Sequence, residues 1–157
     1  MRSRARLVAG LAASGVALAA LWVGGAGAQP RAEVAGRWLT RESRAIVEFH
    51  PCAGAEATLC GRIVWLAPPT VSEGPPFDSH NPDPALRTRP ILGIEIVRGL
   101  RQTRPGVWSG GELYDPEDGR TYSGAIQVKD GALELRGCAF RIFCQTQSWR
   151  PMASDHP

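Results

Sequence analysis

VWSGGELYDPEDGRTYSGAIQVKDGALELRGC, residues 107–138, is the stretch that decides the fold class. It contains three short segments in which apolar and polar residues largely alternate, and alternation with a period of two is typical of half-buried β-strands. Two turn signals separate the segments. The loop at residues 115–119 (DPEDG) ends in a glycine, and Asp130-Gly131 is a dipeptide that strongly indicates a two-residue hairpin. The stretch therefore predicts three consecutive antiparallel strands.

The same pattern continues in both directions along the chain. Eight strands are predicted, at residues 36–40, 44–50, 61–66, 91–98, 107–114, 121–128, 132–138 and 143–149. No segment carries a sustained helical period. Short strands with regularly spaced turn residues indicate a sandwich or a barrel. We therefore predict an all-β fold, and the pattern alone leaves both architectures open. A resemblance described below implies an eight-stranded antiparallel up-and-down barrel, which also leaves no strand edge unpaired.

One segment, residues 67–90, interrupts the series of strands. It contains seven of the 13 prolines and is long for a loop in a compact domain, and such loops tend to be functional. Within it, residues 81–87 (NPDPALR) indicate a short capped helical turn, with Asn81 or Asp83 as the N-cap and the following proline as the first helical residue. The predicted barrel therefore carries a long proline-rich loop with one helical turn.

The start of the chain has the features of a signal peptide. Three arginines lie within residues 1–6, residues 7–23 are uncharged and mostly apolar, and residues 26–28 (AGA) supply the small side chains of a cleavage site. The apolar stretch is almost long enough to span a bilayer, so an uncleaved anchor is the alternative. Cleavage after Ala28 predicts a periplasmic or secreted protein.

Removal of residues 1–28 leaves one predicted domain, residues 29–150, followed by a disordered tail at residues 151–157. The mature chain would carry 15 basic and 15 acidic residues. A formally neutral chain lacks the basic surplus typical of nucleic-acid binding. Nucleic acid is therefore not an expected partner, and no membrane span is expected after cleavage.

The four cysteines, an even number in a chain predicted to be exported, indicate disulfide bonds. Three connectivities are possible. We favour Cys52 with Cys60 and Cys138 with Cys144, because each pair brackets one strand-to-strand turn. The spacing lacks the Cys-x-x-Cys pairs typical of zinc sites, so neither a metal nor a cofactor is expected.

Recognisable catalytic motifs are absent from the sequence. It has no Gly-x-Ser-x-Gly nucleophile motif and no evident Ser–His–Asp set, so we assign no catalytic residue. The loop places Asp78, His80, Asn81 and Asp83 close together, which is compatible with a metal site or an acid–base cluster. We favour the other interpretation, in which these side chains cap backbone groups of a polar loop.

Two arginines in the same loop, Arg87 and Arg89, are candidates for binding a carboxylate, because the guanidinium group can donate two parallel hydrogen bonds. Asp78, Asp83 or Asp115 as the partner would fix the loop to the barrel. The alternative is an anionic ligand held at the mouth of the barrel.

The barrel interior offers a second candidate site. If Trp108 and Tyr114 point inward, strand alternation places Glu112 inward with them. A buried carboxylate requires hydrogen-bond partners from the protein, from water or from a ligand. Glu112 and Tyr114 are therefore candidate ligand-binding residues.

The last strand repeats this arrangement. If Phe143 and Trp149 point inward, Gln145 and Gln147 do so too, and they join the candidate ligand-binding residues. Small eight-stranded barrels are either filled by side chains or hold one small ligand. The polar side chains would form an internal network in the first case and line a ligand pocket in the second.

The chain resembles a known family over nearly its whole mature length, residues 36–150. The matching motifs are CGRIVWL at 60–66, NPDPALRTRPILG at 81–93, WSGGELYDP at 108–116 with GRTY at 119–122, and the two cysteine segments at 137–138 and 144–149. They resemble the domain-of-unknown-function 2147 family of exported bacterial proteins. This resemblance implies an exported domain and leaves its biochemical activity open.

A weaker resemblance is to the lipocalins. Gly36-Arg37-Trp38 resembles their Gly-x-Trp opening, in which the tryptophan closes the narrow end of an eight-stranded barrel. The resemblance implies a lipocalin-like barrel.

We expect a non-enzymatic binding module for a small, partly apolar molecule held in or at the mouth of the barrel. The alternative is a structural or protein-interaction domain of the cell envelope with a filled barrel. A hydrolase that uses residues 78–89 is the third hypothesis.

Overall fold

The computed structural model of the protein describes residues 34–68 and 76–152. Its strands form one closed barrel in chain order. They are β1 (Gly36–Leu39), β2 (Ala45–Cys52), β3 (Ala55–Leu66), β4 (Glu95–Arg104), β5 (Val107–Asp115), β6 (Arg120–Lys129), β7 (Ala132–Ala139) and β8 (Phe143–Met152). Neighbouring strands are antiparallel throughout. The predicted eight-stranded up-and-down barrel is confirmed.

Four strand boundaries differ from the prediction by three residues or more: β3 begins at Ala55 and not at 61, β4 spans Glu95–Arg104 and not 91–98, and β8 ends at Met152 and not at 149. Strand β4 begins at Glu95, because Ile91 instead donates its backbone N–H to Pro76 in the long loop and Gly93 adopts a φ of +93°. Strand β8 continues to Met152, where it pairs with Arg37 of β1 and closes the barrel. The tail predicted from residue 151 is therefore two residues too long. Residues 153–157, like the predicted signal peptide, lie outside the described residues.

Both expected disulfides are confirmed. Cys52–Cys60 joins β2 to β3, and Cys138–Cys144 joins β7 to β8. Each bond crosses one hairpin of adjacent strands and closes a short loop, which limits the conformations of the unfolded chain.

The interior of the barrel is filled by side chains. Three tryptophans from different strands, Trp38, Trp108 and Trp149, are only 5%, 2% and 3% exposed and belong to one hydrophobic cluster. Its other members are Val34, Ala45, Val47, Phe49, Leu59, Ile63, Val97, Leu100, Leu113, Ile126, Leu133 and Leu135. Leu113 packs against Gly124 of strand β6. A Cβ atom on Gly124 would lie only 2.6 Å from Leu113 Cγ. Such close packing is typical of a solid core.

The connections divide the barrel into two ends. At the closed end, short turns join β2 to β3, β4 to β5 and β6 to β7, and the indole of Trp38 donates a 3.0 Å hydrogen bond to the backbone oxygen of Val34. At the other end, here called the loop end, lie residues 40–44, 67–68, 76–94, 116–119 and 140–142. The described parts of the chain contain no helix long and apolar enough to cross a membrane.

Candidate ligand-binding end of the barrel

The long loop is fixed to the barrel by Asp78, a carboxylate with no exposed surface. The Tyr114 hydroxyl on β5 donates a 2.5 Å hydrogen bond to Asp78 Oδ1. Asp78 Oδ2 accepts from Asn81 Nδ2 at 2.7 Å, and from Arg89 Nε at 2.9 Å and Nη2 at 2.7 Å. A buried charge is tolerated when it is paired and hydrogen-bonded in this way. We call Asp78, Asn81, Arg89 and Tyr114 the loop clamp.

Local sequence brings the members of the loop clamp together. Phe77 pairs with Pro90 in an antiparallel bridge, and the Asp78 N–H donates to the Arg89 carbonyl, so the two arms of the loop lie side by side. Between the arms, a 3₁₀ turn (Pro84–Leu86) reverses the chain, with Asp83 as its N-cap and proline as its first residue. The predicted capped turn is confirmed, and it returns Arg89 to the carboxylate of Asp78.

The charge state of the loop clamp follows from its contacts. Burial is the largest influence on Asp78 and opposes its ionisation, but hydrogen bonds from Tyr114, Asn81 and Arg89 together outweigh it and lower the pKa of Asp78. The pKa of Tyr114 is raised, first by burial and then by its hydrogen bond to the Asp78 carboxylate. A deprotonated Asp78 and a protonated Tyr114 are therefore the forms that the clamp stabilises.

Further contacts hold the loop across the barrel. The guanidinium groups of Arg89 and Arg98 lie 6.0 and 5.8 Å from the centre of the Tyr114 ring, within the range of cation–π attraction. On the neighbouring β5–β6 turn, Gly119 has a φ of +70° and lies against the backbone of His80, where a Cβ atom would be 1.8 Å from the carbonyl oxygen. This approach requires glycine.

The remaining loop residues take other partners. Arg87 Nε donates to the backbone oxygen of Asn81 at 2.8 Å, and Asp83 Oδ1 accepts from the N–H of Ala85 at 2.9 Å. His80 is exposed. Of the three carboxylates considered for the arginines, the structure therefore brings Asp78 to Arg89, while Asp83 caps the 3₁₀ turn and Asp115 binds the N–H of Glu117.

The expectation that Glu112 points into the barrel is wrong. Its side chain is exposed and Leu113 is buried instead, because the pairing of β5 with β6 shifts register between Ser109 and Gly111. Such a β-bulge adds one residue and exchanges the two faces of the strand beyond it. The inward placement of Tyr114 is wrong for the same reason: it is buried against Asp78 of the long loop and does not belong to the core cluster.

The two glutamines of β8 are not brought together with Glu112 in a buried pocket. Phe143, on which their inward placement partly rested, is 69% exposed, and Gln145 is exposed two residues further along. Gln147 is half-buried and accepts a 3.1 Å hydrogen bond from the indole of Trp149. Gln147 therefore accepts the hydrogen bond of a core tryptophan on its own strand.

A concentration of exposed apolar side chains marks the loop end. Within the described residues, every exposed large hydrophobic side chain lies in the loop end or within two residues of it: Trp65, Phe77, Leu86, Leu92, Phe140, Ile142 and Phe143. An open cleft of about 590 Å³ at the same end is formed by residues 120–123 and 138–141, and Phe140 is the member of this set that lines it. Two arginines, Arg120 and Arg141, and two aromatic residues, Tyr122 and Phe140, line it. No carboxylate is among its lining residues.

The sequence interpretation missed this cleft. It took residues 139–142 for an ordinary turn, although the run Phe140-Arg141-Ile142-Phe143 has none of the Gly, Asn or Asp residues typical of turns. An apolar run between two cysteines that bracket a turn was the available signal. The described residues contain no cluster of three or more His, Cys, Asp or Glu side chains that could hold a metal ion.

Comparison with known proteins supports the architecture. The barrel is similar to protein HP1028 from the human pathogen Helicobacter pylori, which belongs to the lipocalin family. The TM-score is 0.65 at 20% sequence identity, over 78% of this chain and 84% of the other. The lipocalin-like fold is therefore confirmed. No curated protein sequence matches the chain. The family described as "Uncharacterized protein conserved in bacteria (DUF2147)" matches residues 36–150, and the chain belongs to that family.

Proposed function

We propose that this protein is an exported, non-enzymatic binding module that takes a small, partly apolar ligand at the loop end of its barrel. The observation that carries the proposal is the contrast between a filled interior and a loop end in or beside which all the exposed large hydrophobic side chains of the described residues lie. Exposed apolar surface that is concentrated in one region is typical of an interaction site.

The cleft formed by residues 120–123 and 138–141 supports a ligand with a negative charge. Arg120 and Arg141 can donate charge-assisted hydrogen bonds to a carboxylate, sulfonate or phosphate group. Tyr122 and Phe140 offer flat apolar surface beside them. A small anion with an apolar body therefore matches the cleft better than a neutral or cationic molecule does.

The experiment is native mass spectrometry of the protein purified gently from the periplasm, followed by denaturation to release bound molecules. Two variants are compared with the unchanged protein: Arg120→Glu reverses a charge in the cleft, and Arg101→Glu reverses an exposed arginine near the closed end. We expect a bound molecule on the unchanged protein and on Arg101→Glu but not on Arg120→Glu. Equal occupancy of all three proteins would refute binding in the cleft.

A second candidate, a structural or protein-interaction domain of the cell envelope, is favoured by the same filled interior. This second candidate predicts that all three proteins show the mass of the polypeptide alone, with no bound small molecule. A hydrolase that uses residues 78–89 ranks third, because Asp78 is engaged in the loop clamp and Asp83 in capping the 3₁₀ turn.

A further inference from the structure

The connection between β7 and β8 presents apolar side chains to solvent. Phe140 is 88% exposed, Ile142 72% and Phe143 69%. These values are the highest among the exposed large hydrophobic side chains of the described residues. We call residues 139–143 the β7–β8 tip.

The backbone of the β7–β8 tip is strained and held in place. Phe140 and Arg141 have φ angles of 50° and 62°, a region that costs bulky residues free energy and that glycine adopts freely. The Cys138–Cys144 disulfide lies directly beneath the turn. Strained positions occupied by large side chains, on a base fixed by a covalent bond, indicate that the exposed side chains have a function.

The charged side chains of the β7–β8 tip and of the cleft beside it are arginines. Arg141 is the one charged residue of the tip itself, and Arg120 lines the same cleft. In the described parts of the chain, neither arginine forms an ion pair with a carboxylate. Asp118 lies nearby, where it accepts a hydrogen bond from the Tyr122 hydroxyl of the cleft. This surface is therefore electrostatically complementary to an anionic one.

We propose that the β7–β8 tip docks the barrel reversibly on an anionic phospholipid surface, with its apolar side chains in the interfacial region and Arg141 at the lipid phosphates. Apolar side chains beside basic ones are the combination that binds such surfaces. The three exposed side chains lie on or directly after one short turn between two paired strands, and a short apolar turn can insert into a fluid interface. This inference goes beyond the proposed ligand binding and does not depend on it.

The first test is co-sedimentation of the protein purified from the periplasm with vesicles of phosphatidylglycerol and phosphatidylcholine. We compare the unchanged protein with Phe140→Ser/Ile142→Ser/Phe143→Ser. The matched control is Phe77→Ser/Leu86→Ser/Leu92→Ser, which removes three exposed apolar side chains from the long loop instead. All proteins share one N-terminus, so differences between them report on the substituted residues. Thermal unfolding of each variant checks that the barrel is intact.

We expect the tip variant to lose affinity for anionic vesicles by about a hundredfold or more, since burial of several apolar groups is removed, and the control to keep it. Arg141→Glu should weaken binding to anionic vesicles by about tenfold and leave binding to pure phosphatidylcholine almost unchanged. Equal binding of the tip variant and the unchanged protein would overturn the proposal.

A site-specific measurement completes the test. In the double variant Phe140→Trp/Trp65→Phe, which lacks the exposed native tryptophan of the described residues, the new indole should be quenched by brominated phospholipids. Trp38, Trp108 and Trp149 are buried in the barrel and should not be quenched. The absence of quenching at position 140 would overturn the proposal. A blue shift of its emission that increases with protein concentration in the absence of vesicles would also overturn the proposal. That result would show that the tip contacts another protein molecule.

Discussion

The hydroxyl of Tyr114 donates a 2.5 Å hydrogen bond to Oδ1 of Asp78, and this bond joins residues 36 positions apart in the chain. Asp78 belongs to the long loop and Tyr114 to strand β5 of the barrel. The bond therefore determines where the loop lies over the end of the barrel. Because both groups are buried, its loss cannot be repaired by direct contact with bulk water.

Substitution Tyr114→Phe should lower the free energy of unfolding by about 1–3 kcal/mol, since it leaves a buried carboxylate oxygen without its donor. The control is Tyr122→Phe, which removes a hydroxyl that donates to Asp118 at the surface. The control should change stability by less than about 0.5 kcal/mol, as surface substitutions usually do. Urea unfolding measures both variants, and equal losses would contradict the role given to Tyr114.

The ion pair of the loop clamp provides a second comparison. Arg89→Met removes two hydrogen bonds from the buried carboxylate of Asp78, whereas Arg87→Met removes one bond from an exposed arginine to a backbone oxygen. Hydrogen bonds to charged groups contribute more than neutral ones, so we expect a loss of about 2–3 kcal/mol for Arg89→Met. For Arg87→Met we expect less than about 1 kcal/mol. Similar losses of stability in both variants would show that the Asp78–Arg89 ion pair contributes no more to folding than the single hydrogen bond of Arg87.

Stability should depend on pH through Asp78. Its pKa is lower in the folded protein than in the unfolded chain, so the unfolded chain binds the proton more readily. The stabilisation is therefore present above the ordinary Asp pKa of about 3.9 and is lost as the pH falls through the lower folded value. Melting temperatures between pH 2 and 6 should fall less steeply for Asp78→Asn than for the unchanged protein. Parallel curves would refute this linkage.

The filled interior can be tested at two glycines. Gly124→Ala would place a Cβ atom 2.6 Å from Leu113 Cγ, while Gly137→Ala would meet Leu113 only at 3.5 Å, an ordinary contact distance. Overpacking a core costs about 1–3 kcal/mol, so Gly124→Ala should be less stable by that amount and Gly137→Ala close to neutral. Thermal unfolding distinguishes them. A neutral Gly124→Ala would indicate free space inside the barrel.

The fold was predictable because the alternation of apolar and polar residues directly encodes strands with one buried face. Ala45, Val47 and Phe49 are all buried, as that pattern requires. Both disulfides followed from cysteines that bracket turns. The exchange of faces at Glu112 was harder to foresee, since alternation assumes regular pairing. Gly110-Gly111 within the predicted strand was the one hint of a bulge.

The candidate site was predictable only in part. The sequence suggested that a carboxylate would fix Arg87 or Arg89, but the pairing of Phe77 with Pro90 decides that Asp78 meets Arg89. This is a long-range contact that local patterns do not contain. Alternation also placed Phe143 inward, although it begins β8 beside the tight turn and is exposed there.

The central claim is that a small, partly apolar anion binds at the loop end and not inside the barrel. Titration of the ¹⁵N-labelled protein with 8-anilinonaphthalene-1-sulfonate, a small apolar anion, tests it most directly. The claim predicts NMR shift changes at residues 120–123 and 138–141, with the indole signals of Trp108 and Trp149 unchanged. Changes at those two indoles, with residues 120–123 and 138–141 unaffected, would contradict it and place the site inside the barrel.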